Sequence, residues 1–207
     1  MSTPFPKLTR GLVAILRGLR PEEAADVGSA IYEAGIEAIE VPLNSPDPFR
    51  SIEALAGLLP KGLIGAGTVL KAVEVDRLHD VGGRLLVSPN IDTEVMKRAA
   101  GHGLVTMPGV FTPTEAFAAL RLGASALKFF PASVLGPVGI AAVRAVLPAD
   151  TTVGVVGGVS DSDFAAYAKV GVRTFGLGSS LFKPGMSAAE VGARAAAAVK
   201  AWDEVFG

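Results

Sequence analysis

Cysteine is absent from all 207 residues, which excludes disulfides, thiol chemistry and thiolate metal sites. Charge of one sign is missing too. Nineteen Lys and Arg face 20 Asp and Glu, both signs are scattered, and the net charge is −1. That leaves no electrostatic case for nucleic acid or an anionic membrane surface as partner. Mean hydropathy is high at +0.46, yet no stretch reaches about 18 apolar residues free of charge and of Pro or Gly. A membrane-spanning helix is therefore not expected. Lys7 and Arg10 precede the apolar run Leu12–Leu16, but Arg17 cuts it too short for a signal peptide, so a cytoplasmic enzyme is the expectation. Histidine is scarce. His79 stands among Asp76, Arg77 and Asp80, and His102 between two glycines, neither with a partner at ligand spacing. No metal site is expected, and a serine triad lacks its base.

What the chain does have is rhythm. Short apolar runs alternate with amphipathic segments at a period of roughly 20 to 25 residues, the βα pattern of a parallel sheet. Strands are predicted at Val13–Leu16, Ala38–Val41, Leu63–Ala66, Leu85–Ser88, Leu104–Met107, Ala126–Phe129, Thr152–Val156 and Thr174–Leu177. Helices are predicted between them, among others at Pro21–Ala34, Thr93–Ala100, Pro113–Leu122 and Asp161–Val170, with a last one over Ser187–Val205. Thr112-Pro113-Thr114-Glu115 carries a capping box, and Gly35, Gly82, Gly101, Gly123 and Gly171 stand where helices end. Eight βα units close most naturally into a (β/α)8 TIM barrel. With no linker or low-complexity stretch, residues 1–207 read as a single compact domain. An open doubly wound sheet is the alternative. It lacks its Gly-x-Gly-x-x-Gly fingerprint, because Leu16–Pro21 follows the first strand.

Polar residues at the C-terminal ends of barrel strands are candidates for chemistry. Lys128 is the only charge in the run Ala124–Pro131. Burial disfavours an ammonium, and lowering its pKa from about 10.4 to about 7 corresponds to ~4.6 kcal/mol. A neutral lysine is a nucleophile toward a ketone. Side chains alternate along a strand, so Ala126 and Lys128 share one face, and Ala38 and Glu40 share one face of theirs. The small-then-charged pairs are predicted to point into the lumen. That puts an amine and a carboxylate in one cup. The plain alternative for Glu40 is an ordinary ion pair with Lys128 or Arg17.

Two glycine turns, Gly157-Gly158 after the seventh predicted strand and Gly176-Leu177-Gly178-Ser179 after the eighth, stand where barrels commonly bind phosphate. A phosphorylated ligand is expected there. Two other functions stay open on these residues: a phosphosugar isomerase with Glu40 as base, and a phospholigand-binding barrel without catalysis.

Seven stretches, in the same order and over nearly the whole chain, resemble the 2-keto-3-deoxy-6-phosphogluconate / 4-hydroxy-2-oxoglutarate aldolase family. They are Val13–Gly18, Glu40–Pro46, Ile64–Leu70, Ser88–Asn90, Ala126–Pro131, Val156–Val159 and Gly176–Ser179. The resemblance implies a class I aldolase that uses no cofactor, with Lys128 as Schiff-base lysine and Glu40 as general acid–base. It places the pyruvyl carboxylate at Thr68, near Pro89. It places the phosphate at Arg17, Gly157, Gly158, Gly178 and Ser179. Asn44-Ser45-Pro46 is similar to the galactonate-type members, where the gluconate type has arginine in place of Asn44. The implied substrate is thus a phosphorylated 2-keto-3-deoxy sugar acid of the galactonate series, the gluconate epimer being the alternative. A homotrimer is implied as well.

Overall fold

A computed structural model describes residues 3–207. Nine parallel strands form one sheet: β1 (Leu12–Ile15), β2 (Ala38–Pro42), β3 (Leu63–Gly67), β4 (Leu85–Val87), β5 (Val105–Met107), β6 (Gly109–Val110), β7 (Leu127–Phe129), β8 (Val153–Val156) and β9 (Thr174–Leu177). Their spatial order runs β5-β4-β3-β2-β1-β9-β8-β7-β6. The sheet curls until its two ends meet. β5 and β6 are one stave interrupted at Pro108, which has no N–H to give a ladder. Backbone bonds from Ala126 N to Thr106 O and from Lys128 N to Pro108 O, both 3.0 Å, close the barrel. Eight staves result, the (β/α)8 architecture read from the rhythm, with the fifth split in two.

Helices cover the outside: α1 (Pro21–Glu33), α2 (Pro48–Leu58), α3 (Ala72–Asp80), α4 (Thr93–Gly101), α5 (Pro113–Arg121), α6 (Ala132–Arg144), α7 (Phe164–Ala168) and α8 (Ala188–Phe206). The capping box at α5 is formed, Glu115 Oε2 accepting from Thr112 N at 2.8 Å and Thr112 Oγ1 from Glu115 N at 3.3 Å. Two expectations need correction. Gly101 is the last helical residue of α4, as expected, but not the left-handed one; the chain turns at Gly103, whose φ is +68°. The segment predicted as a helix over Asp161–Val170 is a 3-10 turn at Asp161–Asp163 followed by the five-residue α7. There the Asp163 side chain folds back to accept from Ser160 N at 2.8 Å.

Strand parity sorts the core into two parts. Leu12, Ala14, Ile39, Val41, Leu127, Phe129, Val155 and Phe175 face the helices. Val13, Ala38, Leu63, Leu85, Val87, Val105, Met107 and Ala126 fill the lower lumen, with Phe5 and Leu8 packed beneath as a stopper. Apolar staves filling a barrel interior make a packed core and leave no pore. The stopper is fixed from both sides: Thr9 N donates to Glu37 Oε2 at 2.7 Å, and Arg10 grips Asp203 of α8 at 2.7 and 2.8 Å.

Candidate active site

Above the packed layer the staves turn small. Glu40 of β2 lies in register with Ile15 and Gly65, and Lys128 of β7 with Gly109 and Gly154. Both side chains follow Ala38 and Ala126 onto the lumen face, the parity expected from the sequence. They are nearly inaccessible, at 3% and 6% exposure. Room for the carboxylate comes from Gly67 at the end of β3, where any Cβ would overlap the Glu40 carboxyl group.

Among the described residues the plain ion pair does not form: Glu40 Oε2 is buried with no hydrogen-bond partner there. Burial pushes the Glu40 carboxyl up from the ordinary carboxylate range to about 7, while the charges of Lys128 and Arg17 pull it back down. Burial likewise lowers the pKa of Lys128, against the attraction of Glu40 and with the repulsion of Arg17. The Lys128 Nζ rests over the ring of Phe130, 4.8 Å from its centroid.

Around this pair stand the ends of the other staves. Arg17, just beyond β1, donates from Nη1 to Asn44 Oδ1 at 2.6 Å, so the two loops after β1 and β2 are laced together. Ser45 Oγ accepts from Gly18 N at 2.9 Å and adds a second stitch. Thr68 follows Gly67 with φ of +56°, a left-handed backbone that a β-branched residue seldom adopts. Pro89 lies beyond β4, its carbonyl packed where a Cβ on Gly109 would stand. Gly109 is the register partner of Lys128, so Pro89 flanks the stave next to the amine.

A cavity of about 310 Å³ opens at the barrel mouth and brings Arg17, Gly157, Gly158, Gly178 and Ser179 together. Gly157 and Gly158 take φ of +93° and +72°, consecutive left-handed residues whose N–H groups make a concave turn suited to an anion. Glu40, Asn44, Thr68, Lys128 and Pro89 do not line this cavity. Arg17 and Phe130 link the two regions: Arg17 binds Asn44, Phe130 underlies Lys128, and both line the cavity.

Two residues of the mouth escape a reading of the sequence. Phe130 looks like one more apolar residue at a strand end. Lys183 also lines the cavity, but an exposed lysine in a loop carries no signal of its own. The two histidines lie elsewhere. They stack at 4.3 Å between ring centroids, with His102 Nε2 2.7 Å from Asp76 Oδ1. Among the described residues no three His, Asp or Glu side chains cluster so as to hold a metal ion.

Relatives fit this geometry over its full length. A protein of Rhizobium meliloti (strain 1021) called a probable 2-dehydro-3-deoxy-6-phosphogalactonate aldolase is 63% identical over 205 residues, 99% of this chain and 97% of its own. The 2-dehydro-3-deoxy-6-phosphogalactonate aldolase of Escherichia coli (strain K12) is 48% identical over 194 residues, 93% of this chain and 95% of its own. A solved structure described as native KDPGal superimposes with a TM-score of 0.94 at 46% identity, covering 99% of this chain and 98% of that one. The barrel and its relatives thus define a lyase of the aldolase class. Residues 7–191 match the aldolases described as KDPG and KHG aldolase, and the chain belongs to that family.

Proposed function

We propose that this protein cleaves 2-dehydro-3-deoxy-6-phosphogalactonate to pyruvate and glyceraldehyde 3-phosphate through a Schiff base on Lys128. One observation carries the reading: a buried amine and a buried carboxylate share one lumen without a direct hydrogen bond, under a glycine-lined cavity holding an arginine. Neutral Lys128 attacks the C2 ketone, and the resulting carbinolamine takes a proton on its hydroxyl from Glu40 as acid and loses water to give an iminium. Glu40 as carboxylate takes the proton of the C4 hydroxyl. The C3–C4 bonding electrons move into the iminium, leaving an enamine, and the aldehyde departs. C3 of the enamine then takes a proton back from Glu40, and water hydrolyses the new iminium to pyruvate and free Lys128, the released proton returning to Glu40. A carboxyl group with a pKa near 7 suits both halves of this cycle at neutral pH.

In this reading Thr68 and the backbone near Pro89 receive the pyruvyl carboxylate. Arg17, Gly157, Gly158, Gly178 and Ser179 hold the phosphate, with Lys183 beside them. Phosphate binding far from the breaking bond supplies orientation. Asn44 orients Arg17, and the preference for the galactonate epimer rests on that arrangement and on the names of the relatives. The whole chain, residues 1–207, acts as one domain, and the phosphorylated substrate, which does not cross a bilayer unaided, places the enzyme in the cytoplasm. Three copies associate. Support for assembly comes from the outer face of α6 and the turn after it, where Val134, Val138 and Val146 are 71%, 84% and 58% exposed.

Borohydride added with pyruvate tests the chemistry. The expected product is an N-carboxyethyl adduct on Lys128, located by peptide mass mapping and absent from Lys128→Met. An adduct on another lysine, or none, ends the reading. Comparing kcat/KM on the two C4 epimers tests the branch, and faster cleavage of the gluconate compound would overturn it.

A further inference from the structure

We infer that Phe130 is a catalytic residue whose ring face carries the positive charge of the Lys128 nitrogen, as ammonium at rest and as iminium during turnover. The inference rests on the Schiff-base reading and adds the group that stabilises its cationic intermediate. An iminium in a buried lumen needs negative potential aimed at it. Glu40 as carboxylate supplies part of it, but that charge is spent as Glu40 takes the C4 hydroxyl proton, while the nitrogen is still passing from iminium to enamine. The π face of an aromatic ring is a fixed source of negative potential that no proton can switch off.

The geometry favours this role over simple packing. Lys128 Nζ lies over the ring face, 4.8 Å from the centroid, inside the range in which a cation is attracted to it. The nitrogen is buried, so water does not screen the contact. The ring is also held in place. Phe130 N donates to Val110 O at 3.1 Å, and the following proline disfavours a helical backbone at this position. On the far side the ring edge abuts the mouth turn, where a Cβ on Gly157 would stand 3.0 Å from Phe130 Cδ2. A wedge locked between the amine and the anion turn keeps its face toward the nitrogen through the cycle. The charged groups that face Lys128 are Glu40 on β2 and Arg17 beyond β1. Neither lies on β7 or on the turn that carries Phe130.

The test replaces Phe130 with mono-, di- and trifluorophenylalanine by nonsense suppression, keeping the shape while weakening the negative face. Turnover is expected to fall with each fluorine, reaching about thirtyfold at the trifluoro variant, the rate equivalent of about 2 kcal/mol. The ring favours the ammonium, so its weakening must also move the acid limb of the pH dependence of pyruvate–borohydride trapping toward lower pH. A flat series, with the acid limb unmoved, overturns the inference even if Phe130→Leu is impaired, because leucine changes packing as well. The two readings separate in the wild-type control. If wild type forms the Lys128 adduct and the series is flat, only the role of Phe130 fails. If wild type forms no adduct, the Schiff-base reading fails and takes this inference with it.

Discussion

At the scale of single residues, the site carries its own instability. Glu40 shows the sign of the effect. Below about pH 4.5 its carboxyl is neutral in folded and unfolded chains alike, and its burial costs little. As pH rises, the unfolded chain ionises first while the folded one resists, until the raised pKa near 7 is passed. Folded stability is therefore lost across that window. The coupled ammonium would blur the measurement, so the comparison belongs in a Lys128→Met background, where Glu40 loses the charge that pulls its pKa down. There, adding Glu40→Gln should change Tm little at pH 4 and raise it on the order of 5 °C at pH 8. A gap that stays constant with pH, in melts followed by circular dichroism, would show that burial does not set the behaviour of this carboxyl. Thr68 is the second such residue. Its left-handed backbone costs roughly 1 to 3 kcal/mol. Thr68→Gly relieves that strain and should leave Tm unchanged or higher, while kcat/KM for the phosphorylated substrate drops at least tenfold.

At the scale of elements, the upper barrel is shaped by what its strands omit. Gly65 and Gly67 sit two residues apart on β3, and a methyl group means something different at each. At Gly65 it would overlap the backbone of Leu85 on β4, and at Gly67 the movable end of Glu40. Gly65→Ala should lower Tm by several degrees through a pried ladder. Gly67→Ala should keep its fold within a few degrees of wild type and lose about a hundredfold in kcat by displacing Glu40, the proposed acid–base group. Equal thermal losses in the two variants would contradict this division.

The same strands show what a sequence can and cannot display. Parity placed Glu40 and Lys128 on the lumen face, because alternation is a property of one strand read by itself. The cap at Thr112–Glu115 was legible for the same reason. The contact of Arg17 with Asn44 spans 27 positions and depends on how two loops meet, so no local pattern announces it. The split at Pro108 was hidden because apolar residues continue on both sides of it. Phe130 was hidden because a phenylalanine beside a strand reads as core until its neighbour is known.

For the whole molecule, the outer surface is uneven. Six helices show charged or polar side chains outward and the five-residue α7 exposes only alanines, but α6 has Arg144 as its one charge, and that side chain turns back to donate to Val170 O. A solvent-facing segment kinked at Gly136, with Val134 before the kink and Val138 after it both outward, is what an interface between copies would leave on a single chain. If the proposed trimer forms through this face, Val138→Glu should convert it to monomer in sedimentation velocity. Tm is expected to become independent of protein concentration at the same time. A wild-type chain that already sediments as a monomer would remove the assembly from the reading.

The stopper of Phe5 and Leu8 has a kinetic consequence. A barrel plugged at its base has one door, and the two fragments of a cleaved substrate stand in line behind it. On the proposed chemistry the half bearing the phosphate waits at the threshold, while the pyruvyl half is still bound to Lys128 at the dead end. Departure is thus a queue with a fixed order, aldehyde before pyruvate. The same order reversed governs synthesis, with pyruvate obliged to enter first.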